Sequence, residues 1–139
     1  MKILATGNDE IISAWTEANF GVRTFNSNMA LVVMDQNNIV GSVFFHAHNG
    51  PDIEVSYFGP GTVTIGVARK ICRLAIDHFG VSRITVRTSR GNKLLTRKLH
   101  TKLGFVFEGI RHNGYGNQDA LMYGLFGKNL ARLAGRTMQ

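Results

Sequence analysis

Glu54 and Ser56 stand two residues apart in the β-rich run DIEVSYF, so both fall on one face of a strand. A carboxylate able to take a proton thus sits beside a hydroxyl. His46 and His48 have the same relation at the end of the preceding run. With an acid nearby, two imidazoles on one face are potential metal ligands. No third ligand stands at a recognisable spacing, and lining a cleft or ordinary surface is the other reading. His100, with an ordinary pKa of about 6.5, can give or take a proton near neutrality; equally, it can be a surface residue beside Lys98 and Lys102. Between Val63 and Ala68 the chain reads VTIGVA, small and apolar where a loop opens into a helix. Such a junction turns backbone N–H groups toward an anion such as pyrophosphate without a metal. A tight helix start against a sheet would use the same residues. Cys72 is the sole cysteine and shares an apolar stripe with Ile71, Ala75 and Ile76, which marks a core thiol rather than a nucleophile. It excludes an internal disulfide and a cysteine-based zinc cage, and fits a reducing compartment.

Charge is divided unevenly along the 139 residues. The net charge is +7, but residues 1–66 carry two bases against six acids, and residues 67–139 carry fourteen bases against Asp77, Glu108 and Asp119. Ten of those bases lie between Arg69 and Lys102. A phosphate-bearing partner, whether nucleotide or nucleic acid, suits such a run, and so does a pair of solvated helix faces. Few aromatics are interleaved there to stack bases.

The elements that must position these residues follow from periodicity. MKILAT reads as a strand, Asn8 or Asp9 caps a helix from Glu10 to Asn19, and ALVVM and IVGSVFFHA form a hairpin around DQNN. DIEVSYF adds a third antiparallel strand after Asn49-Gly50-Pro51. From Ile65 to Phe79 the apolar residues recur at helical spacing until Gly80. RITVRT alternates; a second helix carries Leu95, Leu99 and Leu103 to Gly104; FVFEGIR and ALMYGLFG close the chain as a strand pair. RLAGRTMQ reads as a short disordered basic tail. The order β-α-β-β-β-α-β-α-β-β predicts one α/β domain over 1–139, with a mixed, mostly antiparallel sheet covered by helices on both faces. Composition is globular, with 44% hydrophobic and 18% charged residues. The first ten residues lack a signal layout and no apolar run has membrane-spanning length, so a cytoplasmic protein is expected, with no membrane partner. Exposed strand edges could pair two copies, but nothing in the sequence demands an oligomer.

KLHTKLGFVFEGIR resembles a helix-to-strand signature of the GCN5-related N-acetyltransferase (GNAT) superfamily, especially of the branch that includes ribosomal-protein N-terminal acetyltransferases. The residues concerned are Gly104, Phe105, Glu108, Gly109 and Arg111. Asp119, Leu121, Met122, Tyr123 and Leu125 are similar to that family's last strand. The resemblance implies acetyl-CoA as acyl donor, cradled by Val63, Thr64, Ile65, Gly66, Val67, Ala68 and Arg69, although Val63 stands where the family has Gln or Arg. It implies a base at Glu54, acting through water, and an oxyanion donor among the backbone N–H groups near Tyr57 and Phe58. An asparagine on the cofactor would be Asn92, one residue early against the family spacing, which puts Lys93 in that slot. His100 occupies the place of the family's thiolate-protonating tyrosine, while Tyr123 is a further acid candidate or a core aromatic, as is Tyr57. Acceptor selection would fall to residues 9–28 and 114–119.

Two functions remain open on this reading, and a third joins them, with a basic groove holding nucleic acid or the ribosome while an amine on it is acetylated. One is acetyl transfer from acetyl-CoA to a primary amine by direct attack. The other is a catalytically silent protein of the same fold that binds nucleic acid, the ribosome or another assembly through its basic half.

Overall fold

The computed structural model describes residues 2–21, 27–59, 63–91, 93–114 and 116–136. Strand β1 (Lys2–Thr6) leads into helix α1 (Asp9–Phe20). The Asn8 side chain accepts from the N–H groups of Glu10 and Ile11 at 2.9 and 3.1 Å, and Gly21 ends the helix in the left-handed region at φ 67°. Strands β2 (Met29–Asp35) and β3 (Asn38–Asn49) meet at Gln36 and Asn37, both with positive φ, the two-residue turn whose twist matches paired strands. Strand β4 (Asp52–Phe58) follows the turn at Gly50. Thr64 caps helix α2 (Ile65–Phe79) by accepting from Val67 N–H at 3.3 Å. Strand β5 (Arg83–Ser89), helix α3 (Lys93–Thr101), strands β6 (Val106–Arg111) and β7 (Ala120–Phe126), and helix α4 (Gly127–Leu133) complete the chain.

The strands form one seven-stranded sheet in the order β1-β2-β3-β4-β5-β7-β6. Every neighbouring pair is antiparallel except β4 and β5, because α2 carries the chain back to the start of the sheet between them. The expected mixed, mostly antiparallel sheet with helices on both faces is therefore present. The principal core holds Val43, Phe45, Ile53, Val55 and Ile84 from one face of the sheet against Val67, Ile71 and Ala75 of α2 and Leu95 and Leu99 of α3. The opposite face is covered by α1, where Ile12 packs with Ala30, Val32 and Phe44, and the buried hydroxyls of Thr16 and Ser42 bond each other at 2.7 Å.

Two expectations are corrected. Of the segment read as a disordered basic tail, residues 132–136 are ordered, while 137–139 lie outside the described residues: α4 continues directly from β7, and Leu130, Leu133 and Ala134 are buried. Arg69 Nε and Arg73 Nε of α2 donate to the carbonyls of Leu133 and Ala134 at 3.1 and 2.7 Å, and Arg136 forks onto Asp77. His46 and His48 do not share a face. Ala47 takes φ 51° and the β3–β4 register shifts between His46 and Asn49. This bulge sends His48 to the side of Phe79, whose ring it meets at 5.4 Å, while His46 stays on the α1 face.

Glu108 and Gly124 also find a structural explanation. Glu108 reaches across β7 to pair with Arg83, which in turn lies 3.4 Å from Asp52. A Cβ on Gly124 would come within 2.5 Å of Arg83 Nη2 and of Glu108 Oε1. Glycine lets the ion pair cross the strand.

Candidate active site

The parallel register of β4 and β5 runs from Asp52↔Arg83 to Val55↔Val86 and ends there, although β4 continues to Phe58 and β5 to Ser89. Two parallel strands that part halfway leave a wedge in the sheet, with main-chain groups of each rim turned to the gap. A cavity of about 650 Å³ fills the wedge. Its rims are Ser56 to Gly59 and Arg87 to Ser89, its floor on the α2 side is Ala68, Ile71 and Cys72, and Leu95 and Leu99 close it from α3.

Alternation along the rims gives the two ends of this cavity opposite character. Val55 and Tyr57 face the α2 side, and burial pushes the Tyr57 phenol above its usual range, so it stays protonated. Glu54, Ser56 and Arg87 face the α1 side, where Phe20 and Phe58 form an aromatic wall with ring centroids 6.0 Å apart. His46 lies opposite Glu54 in the β3–β4 register. Its Nε2 is 2.8 Å from Ser56 Oγ and its Nδ1 is 3.4 Å from Glu54 Oε2, with His46 and Glu54 side chains 17% and 18% exposed. Burial lowers the His46 pKa below the ordinary value; Glu54 pulls it up and Arg87 pushes it down again. The ring is therefore mainly neutral at pH 7, with an acceptor nitrogen available. The bonding pattern favours Nδ1–H toward the carboxylate and Nε2 accepting from the serine hydroxyl. Among the described residues, the buried Arg87 Nε has no hydrogen-bond partner, which makes it an orphan donor on a cationic side chain that lines the cavity.

At the mouth, Val63 is buried and lines the cavity, and Thr64 starts α2. The N–H groups of Ile65 and Gly66 belong to the first turn and have no partner inside the helix. A Cβ added to Gly66 would meet nothing within 4 Å, so the space over this turn is open. Behind it a second, smaller pocket of about 250 Å³ is lined by Ile65, Arg69, His100, Lys102, Asn129 and Arg132 among others.

The structure thus brings together Glu54, Tyr57, Phe58, Val63 and Ala68 around one cavity and places Thr64, Ile65, Gly66 and Arg69 at or just behind its mouth, while the Val67 side chain is buried in the principal core. It does not bring in His100 or Tyr123. His100 is exposed on the outer side of α3, in the smaller pocket, since it is Leu95 and Leu99 that α3 turns to the cavity. Tyr123 is buried in the principal core with its ring against Phe107, at 5.5 Å between centroids, and is not among the cavity's lining residues. Asn92 and part of the 9–28 stretch lie outside the described residues. The sequence suggests His46 only as a potential metal ligand with His48 or as cleft lining, not as a proton acceptor, and does not single out Arg87. The turn alone pairs Asn49 with Asp52 and would set His46 against Val55; it is the bulge at Ala47 that brings His46 opposite Glu54, and no spacing rule marks that bulge in the sequence.

Comparison of the whole fold with solved structures decides its type. Over 97% of this chain and 99% of the other, it superposes on a chimeric spermidine N-acetyltransferase SpeG from Vibrio cholerae and hSSAT, with a TM-score of 0.73 at 15% identity. The fold is that of the GNAT acetyltransferases. Vibrio cholerae SpeG in complex with manganese ions gives a TM-score of 0.68 at 18% identity, covering 99% of this chain and 97% of that one. A GNAT-family acetyltransferase from Bacillus anthracis gives 0.57 at 20% identity; it matches 70% of this chain, which spans 65% of that protein. At these identities the likeness is one of fold, and it does not reach the ribosomal-protein branch. No family model matches the sequence, and no curated protein matches it.

Proposed function

We propose that this GNAT-fold protein is an acyl-CoA-dependent N-acyltransferase, moving acetyl from acetyl-CoA to a primary amine by direct attack. The observation that carries this reading is the parting of β4 from β5 after Val55 and Val86, which joins an apolar channel under α2 to a polar group of side chains on the other face of the sheet. Acyl donor and amine are both substrates, consumed at each turnover, and the wedge lets them approach from opposite faces. Residues 63 to 69, where the chain enters α2, suit the donor's pyrophosphate, and the cationic pocket behind them adds Lys102 and Arg132 for phosphate charge.

The residues divide the chemistry between them. Neutral His46, oriented by Glu54, takes a proton from the incoming ammonium or from the tetrahedral adduct, directly or through water. Arg87 and the unpaired rim of β4 face the negative charge that develops on the carbonyl oxygen. Tyr57, protonated and on the α2 side, is the cavity's acid for the departing thiolate, in place of His100 and Tyr123. Titration calorimetry with acetyl-CoA and with CoA tests the donor site: saturable one-to-one binding is expected, and no binding at millimolar donor would remove the reading. Acetylation of an amine panel, polyamines included, then identifies the acceptor.

The alternative, a silent fold that holds nucleic acid or the ribosome through its basic half, has less support. Several of the bases concerned have partners within the protein: Arg69 and Arg73 on α4 carbonyls, Lys70 on the Leu4 carbonyl, Arg83 on Glu108 and Asp52, and Arg90 near Asp119.

A further inference from the structure

We propose that the site contains an acyl acceptor of its own, the Ser56 hydroxyl, and that with no amine present the protein passes the acyl group of acyl-CoA to Ser56 Oγ and from there to water. This rests on the reading above that an acyl-CoA thioester enters the cavity.

The geometry is that of an activated nucleophile. A base nitrogen, His46 Nε2, lies 2.8 Å from Ser56 Oγ, and a carboxylate, Glu54 Oε2, lies 3.4 Å from the other ring nitrogen, so nucleophile, base and orienting group stand in line. The sheet imposes the arrangement. Glu54 and Ser56 share a face of β4, and the pairing of His46 with Glu54 across β3 holds the imidazole over both. Ser56, His46 and Glu54 all line the cavity: Ser56 stands on the rim just past Val55, where β4 has left β5, Glu54 lies on the last paired stretch before it, and His46 reaches in from β3. Arg87, with its buried unpartnered Nε, is the cation facing any oxyanion formed there.

The steps balance with water as the only co-reactant. Ser56 Oγ bonds to the thioester carbonyl carbon as its proton passes to His46 Nε2. The C–S bond breaks, the electron pair leaves on sulfur, and the proton from His46 Nε2 joins it as the free thiol. Water then adds to the serine ester carbonyl, giving a proton to His46 Nε2. The C–O bond to Ser56 breaks, the hydroxyl recovers its proton from His46, and a carboxylic acid departs. The net reaction is thioester plus water to acid plus thiol. Cys72 also lines the cavity, but its thiol is buried on the α2 side and its pKa is pushed up to about 12, which leaves it unreactive.

The full-length protein is incubated with acetyl-CoA and no amine, quenched in acid, and examined by intact mass and peptide mapping, with CoA release followed by a thiol-reactive dye. The expected result is CoA release above the spontaneous rate and an acetyl ester on the peptide containing Ser56. Ser56→Ala should remove both, and His46→Ala should slow release by about a hundredfold or more. Ser56→Cys is a second variant, whose adduct becomes a thioester cleaved by neutral hydroxylamine. Acetyl-CoA binding in calorimetry without adduct or release overturns the proposal and leaves direct transfer standing. So does release unchanged in Ser56→Ala, or an adduct on Cys72. Failure to bind acetyl-CoA at all removes the acyltransferase reading, and this proposal with it.

Discussion

His46 acquires its properties from position rather than from type. The same imidazole on the far side of the bulge, at His48, bonds a turn carbonyl and a phenylalanine ring; on the near side it sits between a carboxylate and a hydroxyl. Burial, the largest influence on it, favours the neutral ring, so the pKa in the folded protein lies below the ordinary value. Acetyl transfer should therefore rise as pH climbs through that lowered pKa, with its acid limb lying below the range of an ordinary histidine. His46→Gln should lower kcat by roughly 10²–10⁴-fold with little change in acetyl-CoA affinity and should abolish that limb of the profile; an unchanged acid limb would assign it to another group. Gly66 gives an independent check on the donor site. Because nothing lies within 4 Å of an added Cβ, Gly66→Val should keep the fold and thermal midpoint nearly intact. It should still fill the space over the first turn of α2 and abolish CoA binding in calorimetry. Unchanged affinity would mean that the phosphates lie elsewhere. Of the residues singled out by spacing, Glu54 lines the large cavity and Gly66 lies in the first turn of α2, because strand alternation and helix starts are local properties. His100 and Tyr123 do not line that cavity, since which side of a helix or strand faces a cavity depends on what packs against it.

At the level of elements, the strands and the first three helices were legible because each has its own period and its own stop, such as the left-handed Gly21 and Gly80. Helix α4 was not. It is seven residues long, starts at a glycine immediately after β7, and has no side-chain cap at its N-terminus. What holds it is tertiary: Leu130 and Leu133 buried against the core, and two arginines of α2 bonded to its last carbonyls. Helix ends leave such carbonyls unsatisfied, and cations near them also oppose the helix dipole favourably. Leu133→Ala should thus destabilise the protein by about 2–4 kcal/mol, read as a fall in the midpoint of thermal or urea unfolding. Leu133 lines both the large cavity and the smaller basic pocket, so the same substitution should weaken acetyl-CoA binding as well. A midpoint within error of the parent protein would mean that α4 contributes nothing to the fold.

Across the whole molecule, the contrast between an acidic first half and a basic second half is a poor guide to partners, because it counts charges without their neighbours. Of the ten bases from Arg69 to Lys102, Arg69, Lys70 and Arg73 tie α2 to α4 and β1, Arg83 crosses Gly124 to reach Glu108, and Arg90 lies 3.8 Å from Asp119. Arg87 lines the cavity. That leaves Lys93, Arg97, Lys98 and Lys102, all on or next to α3. Four cations releasing counterions from phosphates would give a log–log salt slope of about −3 to −4 for duplex binding, at ~0.9 per contact. Titrating a short DNA duplex against the protein from low to moderate salt should therefore show weak association with a slope no steeper than that, and acetyl-CoA should leave it unchanged unless it shares the pocket behind α2. A slope near −9 would require the internally bonded arginines to be released to phosphate. The basic half would then be a nucleic-acid surface, and loss of DNA on adding acetyl-CoA would place both ligands on the same cations.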